Sequence, residues 1–302
     1  MGDARRSHPR QVRRRVETGG MTAMRYGLKL SQRAAIEDYL SVWRVADDSG
    51  FDHCWVMDHF ATIGDDPDGD IFEAWALLAG MAVATSRTRI GCMVTGNTYR
   101  HPGVLAKTAV TVDHLSGGRL EFGIGAGWAE YEHTMFDLEL GPPGERLDRF
   151  EEACEVIQSL WTQPRTTYEG RYYKITDAAA EPKPVQERVP IWIGGSGRRK
   201  TLRIVARFAD VWNSPGGSPE EIAELSGVLD GHCADVGRDP GEIRRSVQVR
   251  LGDDVDETLR LVEAHAKVGV SEVIVIVIVM PPDPVAKAGR AASLLPRLRE
   301  IG

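Results

Sequence analysis

The sequence predicts an α/β protein of the (β/α)8 TIM-barrel class. Two observations lead to this prediction. Short apolar runs alternate eight times with segments that have the apolar spacing of an amphipathic helix, and no break in composition divides them. The chain also has 302 residues, 42% of them hydrophobic, and barrels of roughly 250 residues are ordinary single domains. A doubly wound sheet would alternate in the same way, but eight uninterrupted repeats favour the barrel.

The strands are predicted where β-branched and other apolar residues cluster over a few positions. They fall at 26–30, 54–57, 90–94, 120–124, 191–193, 211–212, 247–251 and 273–279. The run VIVIVIV at 273–279 is far shorter than the ~20 residues that a membrane helix needs. It therefore predicts a buried strand, and no membrane partner is expected.

The helices are predicted between these strands, at 34–49, 71–84, 104–115, 144–161, 200–208, 219–236, 256–268 and 285–299. Several begin or end at a recognisable cap. The sequence SPEE at 218–221 has a capping Ser, Pro at the first helical position and Glu three residues after the cap. Asp283-Pro284 opens the last helix in the same way. Gly50 follows the first helix, where a left-handed cap is expected.

Two connections are longer than the others and are predicted to be insertion loops. One follows strand four, at 125–143, and the other precedes strand five, at 162–190. The second contains YEGRYY at 168–173, in which aromatic residues flank a Glu-Gly turn, and this predicts a small hairpin. Long loops on a barrel commonly carry binding surfaces.

The charge and the cysteine spacing of the chain indicate which partners it can bind and in which cellular compartment it is expected. Residues 1–23 are predicted to be a disordered Arg-rich extension of net charge +4, and 24–302 to be the barrel domain. Because the whole chain carries −7, the barrel carries −11, which disfavours a nucleic-acid partner. The four cysteines lie dozens of residues apart without zinc or disulfide spacing, so that a reducing cytoplasm is expected. No metal site is predicted, since no two histidines or cysteines show ligand spacing.

In a barrel the active site lies at the carboxyl ends of the strands. Asp58-His59 directly follows the second strand. A histidine there exchanges a proton near neutral pH, and the adjacent carboxylate is expected to orient it or raise its basicity. The alternative is a structural histidine that bonds to a loop carbonyl.

Two glycine-rich segments follow strands four and five. Gly194, Gly195, Ser196 and Gly197 precede a helix that opens with Arg198-Arg199-Lys200, a pattern typical of a phosphate cradle. The alternative is an ordinary Gly-rich turn beside a solvated basic segment. At 123–127 the glycines of GIGAG leave space for a flat ligand against the backbone, and Gly127 is a candidate cofactor-binding residue. The alternative there is clearance for packing inside the barrel.

Four sequence blocks, taken together, resemble a known family. They are WVMDHF (55–60), VTGNTYRHP (94–102) with LAK (105–107), LSGGRLEFGIGAGW (115–128) and PIWIGGSG (190–197). In this order they resemble the luciferase-like monooxygenase superfamily, in particular its branch of coenzyme F420-dependent oxidoreductases. The resemblance implies a (β/α)8 barrel that holds a deazaflavin or flavin in the pocket at the strand ends.

The resemblance also implies roles for individual residues. Asp58 matches the acidic residue beside the ring, and His59 matches the proton donor or acceptor over its reactive face. Cys92-Met93 matches a bulge in strand three, commonly a non-prolyl cis peptide behind the ring, and Thr95 matches a ring-contacting position. Residues 194–197, with Arg198, match the phosphate loop.

Asp-His-Phe at the end of strand two resembles the deazaflavin branch, whose coenzyme F420 has a polyanionic tail that suits the cations at 198–200. The implied reaction is hydride transfer between the deazaflavin C5 and a small-molecule alcohol, carbonyl compound or activated double bond. The alternatives are an FMN-dependent monooxygenase, supplied with reduced cofactor by a separate reductase, and a non-catalytic flavin-binding barrel. By family analogy a homodimer is expected.

Two departures from the branch concern the substrate. Trp128 stands where the sugar-phosphate dehydrogenases of this branch have an acidic residue, and Ile63 stands where they have Trp. A sugar phosphate is therefore disfavoured. Trp128, Tyr131 and Ile63 are expected to form an apolar substrate-pocket wall, with Glu130, Glu132 and His133 at its edge.

Overall fold

Eight parallel strand positions close into a barrel in the computed structural model, which describes residues 23–30, 33–64, 68–277 and 283–301. The predicted Arg-rich extension, apart from residue 23, and the end of the predicted last strand lie outside these residues. The strands of the barrel are β1 (Arg25–Leu30), β2 (His53–Val56), β3 (Arg89–Cys92), β4 (Thr95–Gly96), β5 (Leu120–Gly125), β8 (Ile191–Gly194), β9 (Val211–Ser214), β10 (Arg244–Arg250) and β11 (Glu272–Val277).

Neighbouring strands pair in the order β3-β2-β1-β11-β10-β9-β8-β5-β4, and a further pairing of β3 with β5 closes the ring. β3 and β4 share one position, since the predicted strand 90–94 is interrupted at Met93–Val94, where the peptide bond is cis. The predicted barrel is confirmed. In a ring of eight, the positions of β4, β5 and β8 lie across from those of β10, β11 and β1.

The eight predicted helices are present, and helical segments surround the barrel. They are α1 (Ile36–Ser49), α2 (Ala74–Ala84), α3 (Pro102–Ser116), α5 (Pro143–Thr162), α6 (Thr201–Phe208), α7 (Pro219–Val236), α8 (Val255–Lys267) and α9 (Pro284–Leu298). The predicted caps form: Ser218 and Glu221 make a capping box, Asp283 accepts from the first-turn N–H groups of α9, and Gly50 is left-handed at φ 81°.

The two insertions contain structure of their own. The second forms the predicted hairpin, an antiparallel pair of β6 (Thr166–Glu169) and β7 (Lys174–Ala178). The first contains a short helix that the sequence reasoning did not predict, α4 (Glu130–Met135), and a 3-10 turn at Pro240–Glu242 is also new. α4 matters most, because it faces the open end of the barrel.

Charged residues fill the amino-terminal end of the barrel. Glu272, at the start of β11, accepts from His53 at 2.8 Å and from Arg25 at 3.0 Å, and it also pairs with Arg244. Above this layer the rings of Trp55 and Trp192 lie 4.7 Å apart between centroids. The interior is thus closed from below, and a ligand has room only at the carboxyl ends of the strands. None of the described helices is both long enough and apolar enough to cross a membrane.

Candidate active site

A cavity of about 560 Å³ opens at the carboxyl ends of the strands, where the sequence reasoning expected the site. Its lining includes nine of the predicted site residues: Asp58, His59, Ile63, Met93, Thr95, Gly127, Trp128, Gly194 and Gly195. Cys92, Tyr131, Ser196, Gly197 and Arg198 do not line it. Ser196 and Arg198 instead line a neighbouring depression of about 400 Å³, and both cavities share Pro215.

One wall of the cavity is made of glycine backbone. It consists of Gly96, Gly125, Gly127, Gly194 and Gly195, from β4, β5, β8 and the segments that follow. A Cβ on Gly125 would lie 2.9 Å from Val94 Cγ2, and Gly127 has φ +84°, so that side chains are excluded at both positions. The result is a wall of main-chain atoms with room for a flat ligand.

His59 is held by a buried carboxylate from α4. Its Nδ1 lies 2.5 Å from Glu132 Oε1, which also accepts from the Tyr99 hydroxyl at 3.0 Å. Glu132 Oε2 accepts from the backbone N–H of Phe60 at 2.5 Å and of Ala61 at 3.3 Å. Because an ionised carboxylate only accepts hydrogen bonds, His59 Nδ1 carries a proton. The other ring nitrogen, Nε2, is therefore the one that can exchange a proton with a ligand.

The charge on Glu132 is stable near neutral pH. Burial acts to raise the pKa of this carboxyl, but the hydrogen bonds from His59, Phe60 and Tyr99 outweigh burial and hold the pKa below its usual value. The site therefore contains a carboxylate–histidine pair of the kind that fixes a tautomer for proton transfer.

Asp58 does not orient His59, contrary to the expectation from their adjacency. The Arg100 guanidinium donates two hydrogen bonds to the Asp58 carboxylate, at 2.6 Å and 3.0 Å, and Gly96 N–H donates a third at 3.2 Å. Burial raises the pKa of Asp58, and the bonds from Arg100 offset this only in part. Successive side chains at a strand end point to different sides, so that Asp58 fixes the β4 segment while His59 turns toward α4.

The segment after β3 differs in one bond from the expectation. The cis peptide is Met93–Val94, one bond beyond Cys92-Met93. Met93 lines the cavity, whereas Cys92 is buried behind it, and burial raises the pKa of its thiol, which stays protonated. Thr95 also lines the cavity, and its hydroxyl accepts from Trp75 Nε1 at 3.1 Å.

The loop after β8 is less cationic than its sequence suggests. Arg198 pairs with Glu224 at 2.8 Å, and Lys200 pairs with Asp148 at 2.5 Å. Arg199 is exposed, and no residue in the described ranges pairs with it. Gly195 has φ +124° and leads into this loop. One of the three expected cations is thus available to a ligand.

The mouth of the cavity is apolar. Trp128 is 58% exposed and meets the His59 ring edge-on at a centroid distance of 5.7 Å, and Ile63 is exposed beside it. Tyr131 lies behind the mouth, where its hydroxyl donates to Thr62 O at 3.3 Å. Within the described ranges no group of His, Cys, Asp and Glu is arranged to hold a metal ion.

Sequence reasoning missed three groups of site residues. Arg100 and Tyr99 belong to a block that it used only for resemblance, and Glu132 was placed at the edge of the pocket and not beside His59. Lys29, Gln248 and Asn213 also line the cavity. A signal existed for Lys29, since a lysine among the apolar residues of a predicted buried strand needs a polar partner.

A closed barrel with a glycine-walled cavity and a carboxylate–histidine pair at its carboxyl end defines a (β/α)8 protein with a candidate active site at the usual place for this fold. The family model of the luciferase-like monooxygenases matches residues 16–299. The chain belongs to this family, and the resemblance found in its sequence is confirmed.

Individual relatives agree with this assignment. An F420-dependent glucose-6-phosphate dehydrogenase of Microbacterium testaceum is 32% identical over 242 residues, which cover 79% of this chain and 71% of the relative. A solved F420-dependent secondary alcohol dehydrogenase in complex with an F420-acetone adduct has a TM-score of 0.82 at 19% identity, over 92% of this chain and 99% of that one. An F420-dependent tetrahydromethanopterin reductase from Methanopyrus kandleri has a TM-score of 0.77 at 18% identity, over 92% and 100%. The two structures support the fold.

Proposed function

We propose that the protein is a coenzyme F420-dependent oxidoreductase that transfers a hydride between C5 of the deazaflavin and an organic substrate. The observation that carries the proposal is the pairing of His59 with Glu132 on a cavity that has a glycine wall. The relative from Microbacterium testaceum supports this coenzyme, since it is named as an F420-dependent enzyme.

The residues of the cavity fit such a coenzyme. When bound, the deazaflavin supplies or accepts the hydride. The glycine wall would hold the ring, with Met93 and Thr95 also in the lining, while Asp58 holds the β4 segment through Gly96 N–H. Residues 194–197 and the free Arg199 would bind the phosphate and the anionic tail, with Ser196 and Arg198 along the adjoining depression.

His59 exchanges the substrate proton. In the direction of alcohol oxidation its Nε2 would accept the hydroxyl proton, and in the direction of reduction it would return the proton to the carbonyl oxygen. Glu132 keeps the imidazole in the tautomer with Nδ1–H and stabilises the positive charge that Nε2 protonation creates. Trp128 packs edge-on against the imidazole ring at the mouth.

The substrate class follows from the wall around His59. Trp128 presents apolar surface where the sugar-phosphate dehydrogenases of the branch have an acidic residue, and Ile63 adds to this apolar surface in place of their Trp. We therefore favour an alcohol, a carbonyl compound or an activated double bond with an apolar part. The relative from Microbacterium testaceum is named for glucose 6-phosphate, which makes that sugar phosphate the first negative control.

The coenzyme is tested by titration of the purified protein with F420 and with FMN in parallel, with fluorescence as the readout. We expect tight binding of F420 and weak binding of FMN. Preference for FMN would favour the monooxygenase alternative, which also needs a reductase partner and consumes oxygen. Replacement of His59 by Ala is expected to lower turnover ~10²–10⁴-fold while F420 affinity changes little. Retained turnover would exclude His59 from the mechanism.

We also propose a cytoplasmic homodimer. α2 carries no charged residue, and Val83 on its outer face is 69% exposed, although a helix that is apolar all round is normally buried. Val104 of the neighbouring α3 is 60% exposed as well. Val83→Arg should therefore yield a monomer by light scattering, whereas Val236→Arg on α7 should leave the mass unchanged. A wild-type monomer would contradict this assignment.

A further inference from the structure

A row of polar side chains crosses the cavity wall that faces the glycines. Lys29 Nζ of β1 donates to Gln248 Oε1 of β10 at 3.0 Å, and Gln248 Nε2 donates to Asn213 Oδ1 of β9 at 2.9 Å. Asn213 Nδ2 then donates to Ser246 Oγ at 2.9 Å. Because an ammonium group only donates, the direction of the whole row is fixed and Lys29 stands at its beginning.

Lys29 has spare hydrogen-bonding capacity. Its ammonium group has three N–H donors, and Gln248 takes one of them. In the ranges 23–30, 33–64, 68–277 and 283–301, no carboxylate forms an ion pair with Lys29. The two carboxylates of the site have other partners: Asp58 pairs with Arg100, and Glu132 pairs with His59. Burial lowers the pKa of Lys29 to about 8, so that the group is mostly protonated at neutral pH.

The position of Lys29 in the ring of strands places it on the substrate side. The glycines belong to β4, β5 and β8, whereas Lys29 and Gln248 belong to β1 and β10, on the other side of the barrel. A flat ring against the glycines therefore leaves its other face toward Lys29. A partly buried cation without an anion is costly, and an anionic ligand that fills the space between would remove that cost.

We propose that Lys29 is the anion-binding residue of the substrate site, and that the substrate carries a carboxylate at its inner end and an apolar part toward Trp128 and Ile63. Gln248 holds the ammonium group in place, and Asn213 holds Gln248 in turn. The inference rests on the proposed function, because it takes the glycine wall to be occupied by the coenzyme. It gives the substrate a polarity: an acidic head at the floor and an apolar body at the mouth.

The test compares matched acids and amides on the F420-loaded protein. Butanoate, hexanoate, butanamide and hexanamide are titrated by calorimetry, with the fluorescence of bound F420 as a second readout. We expect the wild type to bind each acid about tenfold or more tightly than its amide, because the carboxylate forms an ion pair with the ammonium group, whereas the amide oxygen accepts a hydrogen bond without carrying a charge. Hexanoate should bind more tightly than butanoate because its chain reaches the apolar mouth.

Three variants assign the preference to Lys29. Lys29→Met should lose the preference for acids and keep the preference for the longer chain, while Lys29→Arg should retain both in part. Lys267→Met, at an exposed lysine on α8 that pairs with Glu263, should behave as the wild type. F420 titration of each variant checks that the barrel is folded and the glycine wall intact.

Two failures are distinguishable. If the wild type binds F420 but binds the acids no more tightly than the amides, or not at all, the assignment of Lys29 is overturned and the proposed function stands. The same holds if Lys29→Met keeps the preference for acids. If the wild type does not bind F420, the proposed function fails. The assignment of Lys29 to a substrate site then fails with it, because that assignment requires the coenzyme at the glycine wall.

Discussion

Replacement of Glu132 by Gln isolates the contribution of the carboxylate–histidine pair. The two oxygens of Glu132 have different partners: Oε2 accepts the backbone N–H groups of Phe60 and Ala61, and Oε1 accepts from His59 Nδ1 and the Tyr99 hydroxyl. The backbone donors cannot change their role. In the Glu132→Gln variant the amide oxygen therefore has to replace Oε2, and the amide nitrogen has to replace Oε1.

The amide then reverses the hydrogen bond to His59. Its N–H₂ group lies where Oε1 was, 2.5 Å from Nδ1, so that Nδ1 has to accept and the imidazole proton moves to Nε2. A protonated Nε2 of a neutral imidazole cannot accept the proton of an alcohol. Loss of a positioned general base lowers the rate ~10²–10⁴-fold, which corresponds to about 2.7–5.4 kcal/mol of transition-state stabilisation.

The cost to stability is smaller than the cost to catalysis. The shape of the side chain and the two hydrogen bonds from the backbone are retained, whereas the bonds with His59 and the Tyr99 hydroxyl reverse. The exchange of these charge-assisted bonds costs about 1–3 kcal/mol of the free energy of unfolding. F420 affinity should change little, because Glu132 is not among the residues that line the cavity. Since the overall equilibrium is unchanged, kcat/KM has to fall by the same factor in both directions.

The assay follows F420 reduction and oxidation in both directions across a range of pH. Glu130→Gln, on the exposed side of the same helix, is the matched control. Turnover of Glu132→Gln within about threefold of the wild type would refute the assignment, since it falls below the range of a lost general base.

Three further outcomes test the surrounding structure. Gly125→Ala should weaken F420 binding, because its Cβ would lie 2.9 Å from Val94 Cγ2 and deform the glycine wall; unchanged affinity by titration would contradict a ring at that wall. Arg100→Met should lower the free energy of unfolding in urea by about 3–5 kcal/mol, because the buried Asp58 loses its charged partner, and a value near zero would show that the pair is not needed. Burial acts to raise the pKa of Glu272, but His53 and the neighbouring arginines outweigh burial and lower it. The contribution of Glu272 to the free energy of unfolding is therefore present above about pH 4.5 and is lost as the pH falls through the lowered pKa. Glu272→Gln should flatten this pH dependence of stability, and an unchanged slope would exclude Glu272 as its cause.

The fold was predictable because periodicity is a local property. Each strand and helix of the barrel carries its own apolar pattern, and the caps at Gly50 and Ser218 formed as expected. α4 was not predictable in this way: it has six residues, too few to show a helical period, and tertiary contacts determine it. The interruption between β3 and β4 likewise has no apolar signature, and only the resemblance pointed to it.

A site residue was predictable where its place at the end of a strand is enough to put it in the cavity. A residue that reaches the site from a distant element of the chain was not predictable. His59 follows from its place after β2. Its partner Glu132 lies 73 residues further along the chain, in an insertion whose path no sequence pattern indicates. Arg100 was hidden for the same reason, 42 residues from Asp58. Asp58-His59 is adjacent in sequence, but alternation at the strand end separates the two side chains.

The use of each carboxylate decides what the cavity can bind. Had Asp58 oriented His59, Arg100 would have lost its buried partner and Glu132 would have remained a buried charge without its histidine. Instead, each carboxylate has its own partner, Arg100 for Asp58 and His59 for Glu132. Among the described residues, two cations without a carboxylate partner line the cavity, the ammonium group of Lys29 and the guanidinium of Arg146, and Lys29 belongs to the wall that faces the glycines. A negative ligand group is therefore expected beside Lys29, and the acid–amide comparison is the most direct measurement of that expectation.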